Sequence, residues 1–109
     1  MKIKNAKIKN VTTRLENGRL VVNMEFHYMT HFKIFVFQLA NPVEMKNFTK
    51  LMEFAEVRDF NELEGKIIRV AEHQDVVKAV GHPIEDRFVD VTNTMVDSVE
   101  ELSESELFK

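Results

Sequence analysis

The feature that most constrains this fold is a pair of short β-branched runs separated by only four polar residues. The runs occupy residues 66–71 and 76–80, with Glu-His-Gln-Asp at residues 72–75 between them. Their length and composition are typical of strands, and so short a connection indicates antiparallel neighbours, since parallel strands need a longer crossover. Each run is apolar on one side and mixed on the other, which predicts a sheet with one face against a core.

A second hairpin is predicted near the N-terminus. Asn17-Gly18 lies between two strand-like segments, and this dipeptide favours the positive φ angles of a type I′ turn. The segment after it, residues 20–28, alternates cleanly. The segment before it loses its alternation once, near Asn5, which predicts a β-bulge there. The run at residues 33–39 (KIFVFQL) is apolar on both faces, which predicts a central or doubly covered strand.

One main helix is predicted after this third strand. Asn41 can cap it, Pro42 suits the first helical position, and Glu44 sits three residues after the cap. The apolar residues that follow recur at helical spacing and predict one buried stripe: Met45, Phe48, Leu51, Met52 and Ala55. Together these patterns predict an α+β fold, in which the helix packs on an antiparallel sheet of about five strands in the order β-β-β-α-β-β.

Length and composition limit the organisation of the chain. The 109 residues suffice for one core, so we interpret residues 1–94 as a single α+β domain and residues 95–109 as an acidic segment with a short helix. No apolar run approaches a membrane span, and the opening MKIKNAKIKN lacks the apolar region of a secretory signal. With no cysteine in the chain, we expect a cytoplasmic protein with no membrane partner.

The sequence contains no recognisable catalytic motif. GxSxG, HExxH, P-loop and GxGxxG patterns are absent, and three glycines are too few for a phosphate-cradling loop. The only candidates for metal binding or acid–base chemistry are His27, His31, His73 and His82, and their spacing signals no ligand set. We therefore predict a non-enzymatic protein without a cofactor or a metal.

Charge is distributed unevenly along the chain. The net charge is −3, yet the first 20 residues carry six basic side chains against one acidic side chain. Lysines that keep strand edges and faces soluble are the first interpretation. The second is a nucleic-acid-binding strip made of Lys2, Lys4, Lys7 and Lys9, with exposed Phe32, Phe35 or Phe37 as stacking platforms.

Two motifs resemble a group of small bacteriophage and prophage proteins that is largely uncharacterised. LEGKIIRV at residues 63–70 is similar to the group's Leu-x-Gly-Lys-x-x-Arg-Val strand, and AVGHPIEDRF at residues 79–88 is similar to its Gly-His, Asp-x-Phe pattern. The resemblance covers roughly residues 1–91. It departs at residues 30–33, where the group tends to carry glycines, and it does not include the acidic tail.

The resemblance implies a small protein that binds a host protein and modulates or inhibits it, with a bacterial defence system such as CRISPR–Cas as one target. The contacting residues would lie on the outer hairpin face and in the acidic tail: Lys66, Arg69, Lys78, Asp97, Glu100, Glu101 and Glu104. A nucleic-acid-binding accessory protein that uses the basic N-terminal strand is the alternative. Both interpretations leave room for a homodimer, and neither assigns a catalytic residue.

Overall fold

The computed structural model describes residues 1–93 and 98–108, and the chain has an α+β fold. The strands are Lys2–Glu16 (β1), Arg19–His27 (β2), Phe32–Gln38 (β3), Ile67–His73 (β4), Val76–Gly81 (β5) and Phe88–Asp90 (β6), and the helices are Pro42–Phe54 (α1) and Glu104–Leu107 (α2), with a 3-10 turn at Phe60–Leu63. The predicted α+β class, the main helix and the short acidic C-terminal helix are confirmed. The predicted strand count is one short, because β6 has only three residues and shows no periodicity.

All six strands form one antiparallel sheet in the order β3-β2-β1-β4-β5-β6. The long strand β1 lies in the middle, paired with β2 on one side and with β4 on the other. Strand β3 therefore lies at one edge of the sheet and β6 at the other. None of the helices in the described part of the chain has the length and apolar character needed to cross a membrane.

Tight turns close both predicted hairpins. Asn17 and Gly18 join β1 to β2 with φ angles of 50° and 77°, as the Asn-Gly signal predicts. Gln74 and Asp75 join β4 to β5 with φ angles of 51° and 64°. The predicted four-residue loop is thus a two-residue turn, and Glu72 belongs to β4.

The bulge in β1 lies later than predicted. The pairing with β2 shifts between Lys9 and Thr12, where Asn10 adopts a φ of 54°. The bulge predicted near Asn5 is therefore wrong in position. The Glu64 carboxylate accepts hydrogen bonds from the backbone N–H groups of Asn10 and Val11, so a residue far along the chain fixes the irregularity.

Helix α1 covers one face of the sheet. The Asn41 side chain accepts hydrogen bonds from the backbone N–H groups of Val43 and Glu44 at 2.9 and 3.1 Å, which confirms the predicted cap. Met45 is 45% exposed, so the predicted stripe is wrong at this position. Compared with the predicted stripe, the buried side of α1 is rotated about the helix axis so that it includes Phe54. Its residues are Val43, Asn47, Phe48, Leu51, Phe54 and Ala55.

The second face of the sheet is covered only in part. Over β4, β5 and β6, the C-terminal segment places Leu102 and Leu107 against Phe88 and two sheet alanines. Phe88 and Leu102 exchange backbone hydrogen bonds of 2.8 and 2.7 Å, which cover the outer edge of β6. Residues 98–108 therefore pack on the folded body. Over β1, β2 and β3, no described segment covers this face.

Candidate functional site

Strand β3 is the outermost strand of the sheet, so the prediction of a central, doubly covered strand is wrong. Its inward side is covered as expected: Phe37 packs on Phe48 of α1, with ring centroids 5.5 Å apart. On the opposite side, Phe32 is 49% exposed and Ile34 is 64% exposed. An apolar pattern reports how hydrophobic a strand is, but it does not report how many neighbours the strand has.

Two rows of cross-strand neighbours cross the uncovered side of the sheet. One row runs from β4 to β3 through Ile67, Lys7, His27 and Phe32. The next row runs from β1 to β3 through Lys9, Glu25 and Ile34. We call these seven residues the open face.

The acidic and aromatic members of the open face are bound to one another. The His27 ring stacks on Phe32 with centroids 4.9 Å apart and 10° between the ring planes. The Nε2 atom of His27 lies 2.7 Å from the Glu25 carboxylate, which also accepts a hydrogen bond from Asn10. These hydrogen bonds, the one from His27 first, hold the pKa of Glu25 below its ordinary value. Glu25 is therefore an internally paired carboxylate.

The lysines of the open face are not paired in this way. Neither Lys7 nor Lys9 makes an ion pair with any residue in the described ranges, and both are exposed. A shallow groove beside Lys7 is lined by Met29 and Ile67, and both of these apolar side chains are exposed. The open face thus presents positive charge beside uncovered hydrophobic surface.

The backbone of β3 also has an open edge. Leu39 donates to the carbonyl of Leu20, and Tyr28 donates to the carbonyl of His31, which sets the alternation of this antiparallel pair. The odd-numbered residues of β3 therefore direct their backbone N–H and C=O groups toward β2. The even-numbered residues direct their N–H and C=O groups away from the sheet, and no described strand lies there.

One end of this edge is closed and the rest is not. The outward N–H of Gln38 donates to the Glu44 carboxylate at 3.2 Å, and its carbonyl accepts from Asn41 at 3.0 Å. Lysines often protect edge strands from pairing, but the only lysine of β3, Lys33, is on the helix side of the sheet. There it binds Glu72 at 3.2 Å and the carbonyl of Asp75. In the part of the chain that the structure describes, nothing protects three of the outward residues: Phe32, Ile34 and Val36.

Glu72 organises the polar end of the core. Its side chain is only 2% exposed, and it accepts hydrogen bonds from the Tyr28 hydroxyl at 2.6 Å and from Lys4 at 3.4 Å, besides its contact with Lys33. Burial acts to raise the pKa of Glu72, but the hydrogen bonds from Tyr28 and Lys33 and the two lysine charges outweigh burial and lower it. Burial and the hydrogen bond to Glu72 raise the pKa of Tyr28. This cluster ties β1, β2, β3 and β4 together.

Arg69 of the Gly-Lys motif and His82 of the Gly-His motif have structural roles. The Arg69 guanidinium lies 5.0 Å from the Phe88 ring centroid and donates to the carbonyls of His82 and Glu85. The Nδ1 atom of His82 accepts hydrogen bonds from the backbone N–H groups of Ile84 and Glu85 at 3.1 and 2.9 Å. These contacts build the turn between β5 and β6.

The predicted partner-binding residues of the hairpin face differ in their availability. Arg69 is held by the turn just described, and the Lys78 ammonium binds Asp90 at 2.8 Å. Lys66 is exposed and makes no ion pair with a described residue. The structure does not gather these three into one patch free of internal partners.

The acidic tail residues are placed separately. Glu101 binds Arg87 at 2.7 Å and Lys50 at 2.8 Å, and these hydrogen bonds lower the pKa of Glu101 to about 2. Glu100 and Glu104 are exposed, and the backbone N–H of Glu104 donates to Asp86. Asp97 lies outside the described residues. Glu101 therefore fastens the C-terminal segment to the folded body.

Strand alternation separates the four lysines of the predicted nucleic-acid strip. Lys7 and Lys9 belong to the open face, whereas Lys2 and Lys4 lie on the helix side, where Lys4 contacts Glu72. Of the phenylalanines considered as stacking platforms, Phe32 is exposed and Phe37 is buried. Phe35 is half-buried and packs 5.7 Å from Phe26.

The four histidines lie in different settings. His27 belongs to the open face, His31 packs 4.9 Å from Tyr28, His73 is exposed beside the β4–β5 turn, and His82 supports the next turn. Within the described ranges, no three or more His, Asp or Glu side chains are grouped so that they could hold a metal ion.

From the sequence, Phe32 is predicted only as a stacking platform for nucleic acid, and no role is assigned to Ile34 or Ile67. One signal could have found the apolar part of the open face: the chain predicts a single long helix, which can cover only one face of a sheet. A strand apolar on both faces, such as residues 33–39, is then left with one face uncovered. Ile67 carries no comparable signal, because an isolated apolar residue on a strand is common.

Comparison with known proteins adds no relative. No protein-family model, curated protein or solved structure matches this chain.

Proposed function

We propose that this chain is a non-enzymatic protein that binds and modulates a host protein through the open face. The observation that carries the proposal is the uncovered apolar side of β3, where Phe32 and Ile34 lie beside Lys7 and Lys9, which make no ion pair with a described residue. Natural proteins cover or charge such edges, and exposed apolar patches rimmed by polar groups mark interaction sites.

The open face indicates the chemistry of the partner. Apolar side chains of the partner would pack on Phe32, Ile34 and Ile67, and carboxylates at the rim would face Lys7 and Lys9. Charge complementarity of this kind directs the orientation of binding and raises the association rate. The resemblance of the Gly-Lys and Gly-His motifs to phage proteins supports a bacterial host protein, and a defence system such as CRISPR–Cas is the class to test first.

Reversing the charge of the open face should weaken partner binding. We expect the variant Lys7→Glu/Lys9→Glu to bind a purified partner at least about tenfold more weakly than the wild type, because like charges would meet at the rim. The partner would be captured from host lysate with the wild-type chain, purified and titrated. Thermal unfolding should be nearly unchanged, since both lysines are exposed and lack ion-pair partners among the described residues.

A matched control is Lys46→Glu/Arg58→Glu, which makes the same change in net charge within and just after α1. Both residues are exposed and make no ion pair with a described residue. The control should bind the partner like the wild type. Equal weakening by both variants would show that net charge matters and the open face does not.

Nucleic acid is the competing partner for Lys7 and Lys9. Two lysines that neutralise two phosphates would give a slope of about −2 for log K against log salt. A gel shift of duplex or single-stranded nucleic acid with that slope, lost in Lys7→Glu/Lys9→Glu and kept in the control, would replace the proposal. No shift at low salt is the result expected here.

A further inference from the structure

We propose that β3 pairs edge to edge with β3 of a second copy of this chain, so that the two sheets become one. The inference does not depend on the proposed function, because it follows from the backbone and side chains of β3 alone. Three residues of this strand have outward backbone groups with no partner among residues 1–93 and 98–108, and two of them, Phe32 and Ile34, also expose large apolar side chains. Such an edge is a template for another strand.

The edge is complementary to itself in one register. In this register, a two-fold axis passes beside Ile34. Ile34 then lies opposite Ile34 of the second copy, and Phe32 lies opposite Val36 of that copy. Every outward residue then meets an outward residue, and each such antiparallel pair exchanges two backbone hydrogen bonds. On the open side, the same register brings aromatic and β-branched side chains together, which are favourable cross-strand pairs.

The neighbouring registers are disfavoured. Moving the axis toward Phe32 by one residue places Lys33 directly opposite Lys33 of the second copy, and like charges in that position are destabilising. Moving it the other way places Gln38 opposite Phe32 of the second copy. The outward backbone groups of Gln38 are already bound to Glu44 and Asn41, so they cannot pair.

Other edges in the described part of the chain are less suited to pairing. The outer edge of β6 is occupied by Leu102. The far half of β1 extends beyond β4, but it carries charged side chains, with Arg14 and Glu16 ion-paired at 2.7 Å. Charge and ion pairs of this kind protect an edge, so the apolar β3 is the edge selected for the second copy.

Pairing through β3 would place two open faces side by side on one continuous sheet. The Lys7 and Lys9 pair of each copy would then flank a central apolar strip made by Phe32, Ile34 and Val36 of both copies. A partner protein would meet a surface twice as wide. A symmetric or repeated partner surface would therefore bind more tightly than a single site.

The dimer is tested with purified protein alone. Analytical ultracentrifugation from about 1 µM to about 300 µM covers the range expected for a small interface. The weight-average mass of the wild type should rise from 12.8 kDa toward about 26 kDa. Ile34→Lys and Ile34→Glu should each stay monomeric throughout and should remain folded, because this side chain is largely exposed.

Mixing the two variants tests the register. Because the axis places residue 34 opposite itself, an equimolar mixture of Ile34→Lys and Ile34→Glu should recover the dimer through opposite charges. Ile84→Lys is the matched control, since Ile84 is 85% exposed and lies outside every strand, and it should dimerise like the wild type. A wild type that stays monomeric at about 300 µM, or a mixture that does not recover the dimer, would overturn the inference.

The outcome is separable from that of the proposed function. Lys7→Glu/Lys9→Glu leaves β3 intact and should still dimerise while it loses the partner. Partner binding by a chain that never dimerises would refute the dimer and retain the proposed function. A dimer that binds no partner would support the dimer and refute the proposed function.

Discussion

Replacing Gly81 by alanine should destabilise the fold by about 3 kcal/mol, because the added methyl group would overpack a buried site. A Cβ atom at this position would lie 2.4 Å from Cδ1 of Phe88 and 2.7 Å from the carbonyl oxygen of Arg87. The Phe88 ring cannot withdraw, because it is fully buried beneath Leu107 and beside the Arg69 guanidinium. The melting temperature should fall by roughly 15 °C, which calorimetry would measure.

Gly18→Ala is the control for a general effect of losing a glycine. Gly18 has a φ of 77°, so alanine is strained there, but a Cβ atom would meet nothing within 4 Å. This substitution should cost only about 1 kcal/mol. If Gly18→Ala and Gly81→Ala lowered the free energy of unfolding by similar amounts, close packing of β5 on Phe88 would not determine the stability of this part of the fold.

Replacing Glu72 by alanine should destabilise the fold by about 2 kcal/mol. The substitution removes the acceptor shared by Tyr28, Lys4 and Lys33 and leaves a half-buried hydroxyl without this partner. The loss is smaller than for a fully buried ion pair, since both lysines retain some contact with water. Urea unfolding would measure it. As a control, Glu53→Ala removes a half-exposed ion-pair partner of Lys50 and should cost less than about 0.5 kcal/mol.

Glu72 should also make the fold sensitive to acid. Its pKa in the folded chain lies below its ordinary value of 4.5, so its stabilisation is complete above that pH and declines as the pH falls below it. The stability of the wild type should therefore decrease more steeply on acidification than that of Glu72→Ala. Parallel pH profiles for the two proteins would contradict the assigned role of this carboxylate.

The sequence alone predicts those parts of the fold that local chemistry determines. Asn17-Gly18 specifies a two-residue turn, and Asn41 with Pro42 specifies the start of α1, because each of these residues acts on its own backbone. The β4–β5 hairpin is predicted by its two β-branched runs and the short polar segment between them. The predicted loop is too long because Glu72 is polar, and its burial in β4 depends on the distant residues Tyr28, Lys4 and Lys33.

The candidate site was not predictable from local pattern because it depends on which strand lies at the edge. Strand order follows from long-range pairing: β1 pairs with β4 across the whole of α1, and this leaves β3 without an outer neighbour. The same kind of information places Leu107 over the β4–β6 side of the sheet. Periodicity identified an apolar strand correctly, but it could not show that half of this strand would remain uncovered.

Residue-level hydrogen exchange, measured by NMR, tests the open edge of β3 most directly. In dilute protein, the amides of Phe32, Ile34 and Val36 should exchange about 100-fold faster than those of Lys33, Phe35 and Phe37, which donate to β2. Concentrated protein should slow the first set selectively, because the second copy would then cover the edge. Equal protection of all six amides in dilute protein would contradict the account, since it would show that the edge of β3 is already covered within the monomer.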